Sequence, residues 1–382
     1  MPAAIRSPDG KRRLRIGVAG AGLIAQVEHL PNLVALPDRF DLVAVADPSA
    51  AVRDAVAGRY GVRVHADVEA LLGEPLDAIV VAVPDALHAG TVLRALDAGL
   101  HVLCEKPLCI DDADYARIAE ARDRTGRVVQ VGYMKRFDPN YEAALAELPV
   151  DGAATLRYLS VEVHDPDAWP FVAHRPLTRA DDVHPALGEE TRATLHRQAV
   201  AALGVEPDAE ALAGFTNTLM SGVVHCVNAG HGLLDHLGVP DGEVVGGAIW
   251  REGEGAAGEV RLLGGRAHWR FCQVLVPHVA LYRERYSLWF DDRIVELEFP
   301  APYLNHQQTR LTVLRSDGRR LESRTVAAGF EEAFVRELEG FHDAVCGVAA
   351  QRNPVEEARR DARLLRAVAL QAIASTPDPR PV

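Results

Sequence analysis

The run LRIGVAGAGLIA, residues 14–25, constrains the fold more than any other stretch of this chain. An apolar, β-rich segment ends in Gly-Ala-Gly and passes at once into a helix-like segment reaching about Leu36. Such a strand–turn–helix unit belongs to a parallel sheet. In the pattern GxGxxA, Gly20 permits the tight turn, Gly22 lets a charged ligand approach the backbone, and Ala25 lets helix and strand pack closely. The helix N-terminus adds free N–H groups and a positive dipole.

The same alternation continues through the first third. DLVAVAD (41–47), a short strand near Arg63, DAIVVAV (77–83), HVLCE (101–105) and RVVQVGYM (127–134) are separated by segments of helical period. Runs apolar on both faces predict a parallel sheet covered on both sides. From about Ala153 strands follow one another instead, among them TLRYLSVEVHD, EVVGGAIW, GEVRLL, RAHWRFCQVLV, ALYRERYSLWF, RIVELEF and TRLTVLR. Strand after strand, joined by turns, predicts a mostly antiparallel sheet. The expected fold is α/β: an N-terminal Rossmann domain over 1–134 and a C-terminal α+β domain over 135–382 built on an open sheet. Residues 170–218, rich in Pro, His and Asp and with a helix over Glu189–Leu203, read as an insertion or lid. Helices return from Glu331 to Ser375, before a Pro-rich tail.

Composition narrows the function classes. With 382 residues, 48% apolar and 25% charged, the chain has the balance of a two-domain globular protein. A net charge of -13 argues against an electrostatic grip on nucleic acid or anionic lipid. The one basic cluster, Lys11-Arg12-Arg13, reads as a solvated tail. No membrane span or signal-like core is found, so the cytoplasm is the expected location. Five scattered cysteines without a CxxC pair fit a reducing compartment, and His225 and His231, six apart, lack the spacing of a helical metal pair. No metal is expected.

Ligands of an open parallel sheet bind beyond the carboxyl ends of its strands. The glycine loop, with Gly20, Gly22, Leu23 and Ile24, lies on that edge, as do Asp47 after the second strand, Pro84 and His88 after the fourth, and Glu105 and Lys106 after the fifth, where Pro107 fixes the direction of the loop. These are the expected cofactor contacts. Asp47 can accept hydrogen bonds from adenosine ribose hydroxyls and would repel a 2'-phosphate, which favours NAD over NADP.

Taken in order, GAGLIAQVEHLP, VPDALH, EKP and VGYMKRFDP resemble the Gfo/Idh/MocA oxidoreductases, specifically as far as about residue 139. The resemblance implies NAD-dependent hydride transfer at a secondary alcohol or ketone of a sugar, cyclitol or related polyol, and an open sheet that forms a homodimer or homotetramer interface. It makes Lys106 the residue that polarises the reacting oxygen and His225 the one that exchanges the hydroxyl proton. It makes Tyr133, Lys135 and Arg136 cofactor or substrate contacts, while Trp169 and His174, which open the inserted stretch, are read as pocket walls, and Ser221 and Asn228 are expected substrate contacts. Bland readings stand beside these: a packed helix residue for His225, a basic loop for Lys135, a surface loop anchored by Trp169. Where the family pattern carries acids, this chain has Ser221 and Asn228. Without a carboxylate partner an imidazolium at His225 is less stabilised, which makes the neutral imidazole a weaker base unless another acid reaches it. Two alternatives follow: a glycoside-processing enzyme that oxidises the sugar transiently, and a non-catalytic NAD-sensing protein.

Overall fold

The computed structural model describes residues 12–375, so Lys11 and the Pro-rich tail lie outside the described residues. The chain forms two compact units, and both are discontinuous in sequence. Among the described residues, one contains the chain as far as Tyr133 with Val172–Gln198 and Phe334–Arg359, and the other contains Met134–Phe171, Ala199–Ala333 and residues 360–375. Part of the inserted stretch and the first C-terminal helix thus return to the first unit, an arrangement that a single cut at 134 does not express.

The first unit is a Rossmann sheet of β1 (Leu14–Ala19), β2 (Phe40–Ala46), β3 (Arg63–His65), β4 (Ala78–Val81), β5 (His101–Glu105) and β6 (Val129–Gly132). Its order is β3-β2-β1-β4-β5-β6 with every pairing parallel. Leu14, Ile16 and Val18 pack with Leu33, Val80 and Leu103, and helix Ala333–Val345 closes this core with Leu338 and Phe341. Helix ends follow local chemistry. Ser49 and Asp111 accept backbone N–H groups where Ala50–Tyr60 and Asp112–Thr125 begin, and Gly61 and Gly126 end those helices in the left-handed conformation.

The second unit carries an eight-stranded sheet: β7 (Leu156–Asp165), β8 (Glu243–Trp250), β9 (Gly255–Leu262), β10 (Ala267–Leu275), β11 (Arg283–Phe290), β12 (Arg293–Phe299), β13 (Arg310–Ser316) and β14 (Leu321–Val326). The order is β14-β13-β12-β11-β7-β10-β9-β8, and only β7 with β10 is a parallel pair. The edge strand β14 was not read from the sequence because LESRTV is almost wholly exposed and shows no apolar face. A second difference concerns the end of the inserted stretch. Residue 218 falls inside a continuous helical run, since helix Ala209–Ala213, the π-helical Gly214–Val223 and helix Val224–His236 succeed one another without a break. At Gly230 a Cβ would lie 2.6 Å from Trp269, so only glycine lets this run approach the sheet so closely.

His101 at the start of β5 supplies a pH prediction. Its Nδ1 accepts the Val128 N–H at 3.0 Å, and burial together with Arg127 lowers its pKa to about 4. The unfolded chain therefore takes up this proton near pH 6.5, before the folded chain does, and stability falls as pH drops from about 6.5 toward 4. Thermal melts across that range should show the fall, and His101→Asn, which keeps an acceptor without a titrating ring, should show less of it.

Candidate active site

The residues singled out from the sequence divide between the two units. On the Rossmann unit, Gly20 turns the chain with φ 88°, and a Cβ there would lie 2.3 Å from the Ala82 carbonyl oxygen, so no other residue fits. Around Gly22 nothing lies within 4 Å of where a Cβ would point, and Leu23 beside it is exposed. Ala25 is fully buried against the core. One Asp47 carboxylate oxygen accepts the Ala21 N–H and the other the Ser49 N–H, both at 2.9 Å. The acid is thus held at the edge beside the glycine turn with lone pairs to spare. This set fits a dinucleotide: an open backbone face for a pyrophosphate, donors at a helix N-terminus, and a carboxylate for a ribose diol.

The opening to this edge at β5 is rigidly built. Glu105 Oε1 meets His29 Nε2 at 2.8 Å and Oε2 accepts the Lys106 N–H at 3.3 Å. Despite burial, His29 and then Lys106 hold the Glu105 carboxyl below its ordinary range. His88 is almost fully buried, its Nδ1 2.6 Å from the Pro107 carbonyl oxygen and its Nε2 2.7 Å from that of Val83. Both His88 nitrogens and both Glu105 oxygens are therefore engaged within the fold, so these two serve to shape the loop. Lys106 lies between them, partly buried, and its bond to Pro107 is cis. Pro84 is exposed and opens the turn Asp85–Leu87. Tyr133 is a core side chain whose carbonyl accepts from Asn353 at 3.1 Å. His174 is exposed.

Two participants on this unit were not visible beforehand. His29, from the end of the π-helical Ala25–His29, packs edge-on against Phe334 and supplies the hydrogen-bond partner of Glu105. Glu337 is fully buried, and neither carboxyl oxygen has a partner among the described residues. Burial, reinforced by the Glu105 charge, pushes its carboxyl well above the usual range.

On the second unit, His225 occupies the first turn of helix Val224–His236, and it and Ser221 are partly buried. Asn228 is buried, its amide donating to Asp361 Oδ2 at 2.9 Å, while His231 Nδ1 meets Asp361 Oδ1 at 2.6 Å. Asp361 thus brings a carboxylate to this helix, where it engages Asn228 and His231. Lys135 is no surface residue. Its Nζ lies 2.6 Å from Glu284 Oε1, and Tyr282 and Tyr286 donate their hydroxyls to the same carboxylate at 2.5 and 3.0 Å. Cys226, next to His225, approaches Glu284 at 3.8 Å, and burial pushes its thiol up to about 12. Arg136 is partly buried and lies against Gly232, whereas Trp169 is half exposed at the start of helix Trp169–Val172. Among the described residues no cluster of His, Cys, Asp and Glu is suited to a metal ion, and no helix is long and apolar enough to cross a membrane.

Fold and glycine edge together define an NAD(P)-binding Rossmann domain. Residues 14–133 match the Gfo/Idh/MocA family model, described as "Oxidoreductase family, NAD-binding Rossmann fold". The chain is similar to inositol 2-dehydrogenase 4 of Saccharopolyspora erythraea, 40% identical over 133 residues that are 34% of this chain and 39% of that protein. It is also similar to an inositol 2-dehydrogenase of Leifsonia xyli, 34% identical over 45% of this chain and 57% of the relative. The matches thus span well under two thirds of these relatives' length. Solved structures extend the likeness in fold to nearly the whole chain. A 3-ketoreductase from Actinomadura kijaniata, in complex with NADP and TDP-benzene, has a TM-score of 0.70 at 20% identity over 94% of this chain and 97% of its own. The aldose-aldose oxidoreductase from Caulobacter crescentus, in complex with glycerol, has a TM-score of 0.69 at 18% identity over 95% of this chain and 98% of its own.

Proposed function

We propose that the protein is an NAD-dependent oxidoreductase acting at a secondary alcohol or ketone of a sugar, cyclitol or related polyol. The observation that carries this reading is the edge of the Rossmann sheet. There the open face at Gly22, the Asp47 carboxylate and Lys106 stand at the carboxyl ends of β1, β2 and β5, with the Lys106 loop held between Glu105–His29 and His88. The inositol dehydrogenase relatives support the substrate class.

Bound NAD would supply the hydride acceptor. Gly20 and Gly22 would seat its pyrophosphate and Asp47 its ribose hydroxyls. The Lys106 ammonium stabilises negative charge developing on the substrate oxygen, a role that requires it to be fixed in advance. Glu105 and Pro107 on either side provide that fixing. His225 accepts the hydroxyl proton during oxidation and returns it during reduction. Arg136, Trp169 and Ser221 are the proposed polyol contacts, whereas Tyr133 is held in the core, and the active form is a homodimer or homotetramer in the cytoplasm.

A second reading, a non-catalytic NAD-binding sensor, has one observation in its favour: Asp361 engages Asn228 and His231, and positions 221 and 228 carry no acid. The test is the absorbance of NADH with the purified chain, NAD or NADH, and a panel of sugars, cyclitols and their keto forms. Substrate-dependent formation or consumption of NADH is the expected result. Binding of NAD without turnover on any of them would favour the sensor.

A further inference from the structure

Part of the inserted stretch has a structural assignment on the Rossmann unit. Residues 175–182 run along the edge that carries Gly22 and Asp47, and four side chains tie the run down. Arg175 donates to the Val27 carbonyl at 3.1 Å, and Arg59 donates to the Pro176 carbonyl at 2.7 Å. The Gln26 carboxamide pairs with the Thr178 backbone in both directions, accepting its N–H and donating to its carbonyl, each at 2.9 Å, while also donating to Ala21 at 2.7 Å. The run ends at Asp182. One of its carboxylate oxygens accepts the Ser49 hydroxyl, and the other accepts the N–H groups of Ala50 at 2.8 Å and Ala51 at 3.1 Å.

These donors form the N-terminus of helix Ala50–Tyr60, which begins directly after Asp47. If Asp47 receives the adenosine ribose hydroxyls, a phosphate esterified to the 2'-hydroxyl must project past Asp47. The next donors in that direction are Ser49, Ala50 and Ala51, the kind of helix N-terminus that binds phosphate. In this chain an internal anion already holds them. Arg53, the cation in the first turn of the same helix, is committed to the carbonyls of Asp47 at 2.8 Å and Pro48 at 2.9 Å. A 2'-phosphate that used these donors would have to displace Asp182 from them. The open space at Gly22 shows that the run lines this end without filling the pyrophosphate face.

We infer that Asp182 is the cofactor-specificity residue of this protein: its carboxylate takes the place of the adenosine 2'-phosphate and restricts the dinucleotide pocket to NAD. The inference rests on the dinucleotide reading given above and assigns to that pocket a residue far from it in sequence. Asp47 alone disfavours a 2'-phosphate by repulsion, whereas Asp182 also removes the donors that would offset the repulsion.

The test is calorimetric binding of NAD and NADP to the full chain, with adenosine 2'-monophosphate and adenosine 5'-monophosphate as fragment probes. Wild type is expected to favour NAD by at least about tenfold. Asp182→Ala, and the nearly isosteric Asp182→Asn, should each tighten NADP and adenosine 2'-monophosphate by about tenfold or more, leaving NAD within about threefold, because a carboxylate is removed from a phosphate-binding helix terminus. Asp181→Asn removes the same charge one residue away and should leave the preference unchanged. Wild type that prefers NADP, a preference unmoved by either Asp182 variant, or an equal shift in Asp181→Asn would overturn the inference while leaving dinucleotide binding intact. Folded wild type that binds neither cofactor would overturn both the dinucleotide reading and the inference built on it.

Discussion

Lys106→Ala is expected to lower turnover by about 10²- to 10³-fold, the usual cost of removing a group aimed at a developing oxyanion, while NAD affinity stays within about threefold. The lysine follows β5 and contributes an ammonium to the proposed substrate side, whereas the proposed cofactor contacts at Gly22 and Asp47 come from other loops. The loop should survive the change, because Glu105 stays tied to His29 and the Pro107 carbonyl to His88. Lys106→Arg keeps the charge but not the point geometry and should restore little. Steady-state kinetics on a substrate found in the panel, combined with NAD titration, check this. Equal loss of NAD binding and turnover would instead make Lys106 a cofactor anchor, and a retained ligand response in a chain without turnover would mark a sensor.

The second large effect concerns the interior of the second unit. Glu284 is fully buried and is shared by the Lys135 ammonium and the hydroxyls of Tyr282 and Tyr286. Glu284→Ala leaves a buried cation and two phenols without their acceptor, and breaking such a pair from one side costs about 3–5 kcal/mol. Urea unfolding should show that loss. The double variant Lys135→Met with Glu284→Leu removes both charges and should lose far less, since an apolar pair of similar size avoids desolvating ions. A double variant as unstable as Glu284→Ala would instead place the stabilisation in the tyrosine hydrogen bonds. Burial keeps both phenols protonated well above their ordinary range, so they donate to Glu284 throughout the neutral region.

Much of the Rossmann half was legible because its signals are local. Strand β4 is buried at every residue and reads as an unbroken apolar run, and the capping of Ala50–Tyr60 and Asp112–Thr125 can be read from Ser49, Gly61, Asp111 and Gly126. The glycine turn is equally local, because Gly20 is demanded by its own φ and by the Ala82 backbone a strand away. Strand β14, polar on both faces, carried no such signal. Nor did the π-helical stretch before His225, whose winding leaves no distinct period in the sequence.

The succession of strands and helices in the first unit, the glycine turn and the edge on which Asp47 and Lys106 stand are all encoded locally. Each depends on residues a few positions apart, so periodicity and backbone sterics suffice to read them. Which polar groups meet was settled by the packing: Glu105 with His29, Lys135 with Glu284, His231 with Asp361, and Asp182 with Ser49. Those pairs join residues distant along the chain, and a polar group takes the partner that the packing delivers, which no local pattern encodes.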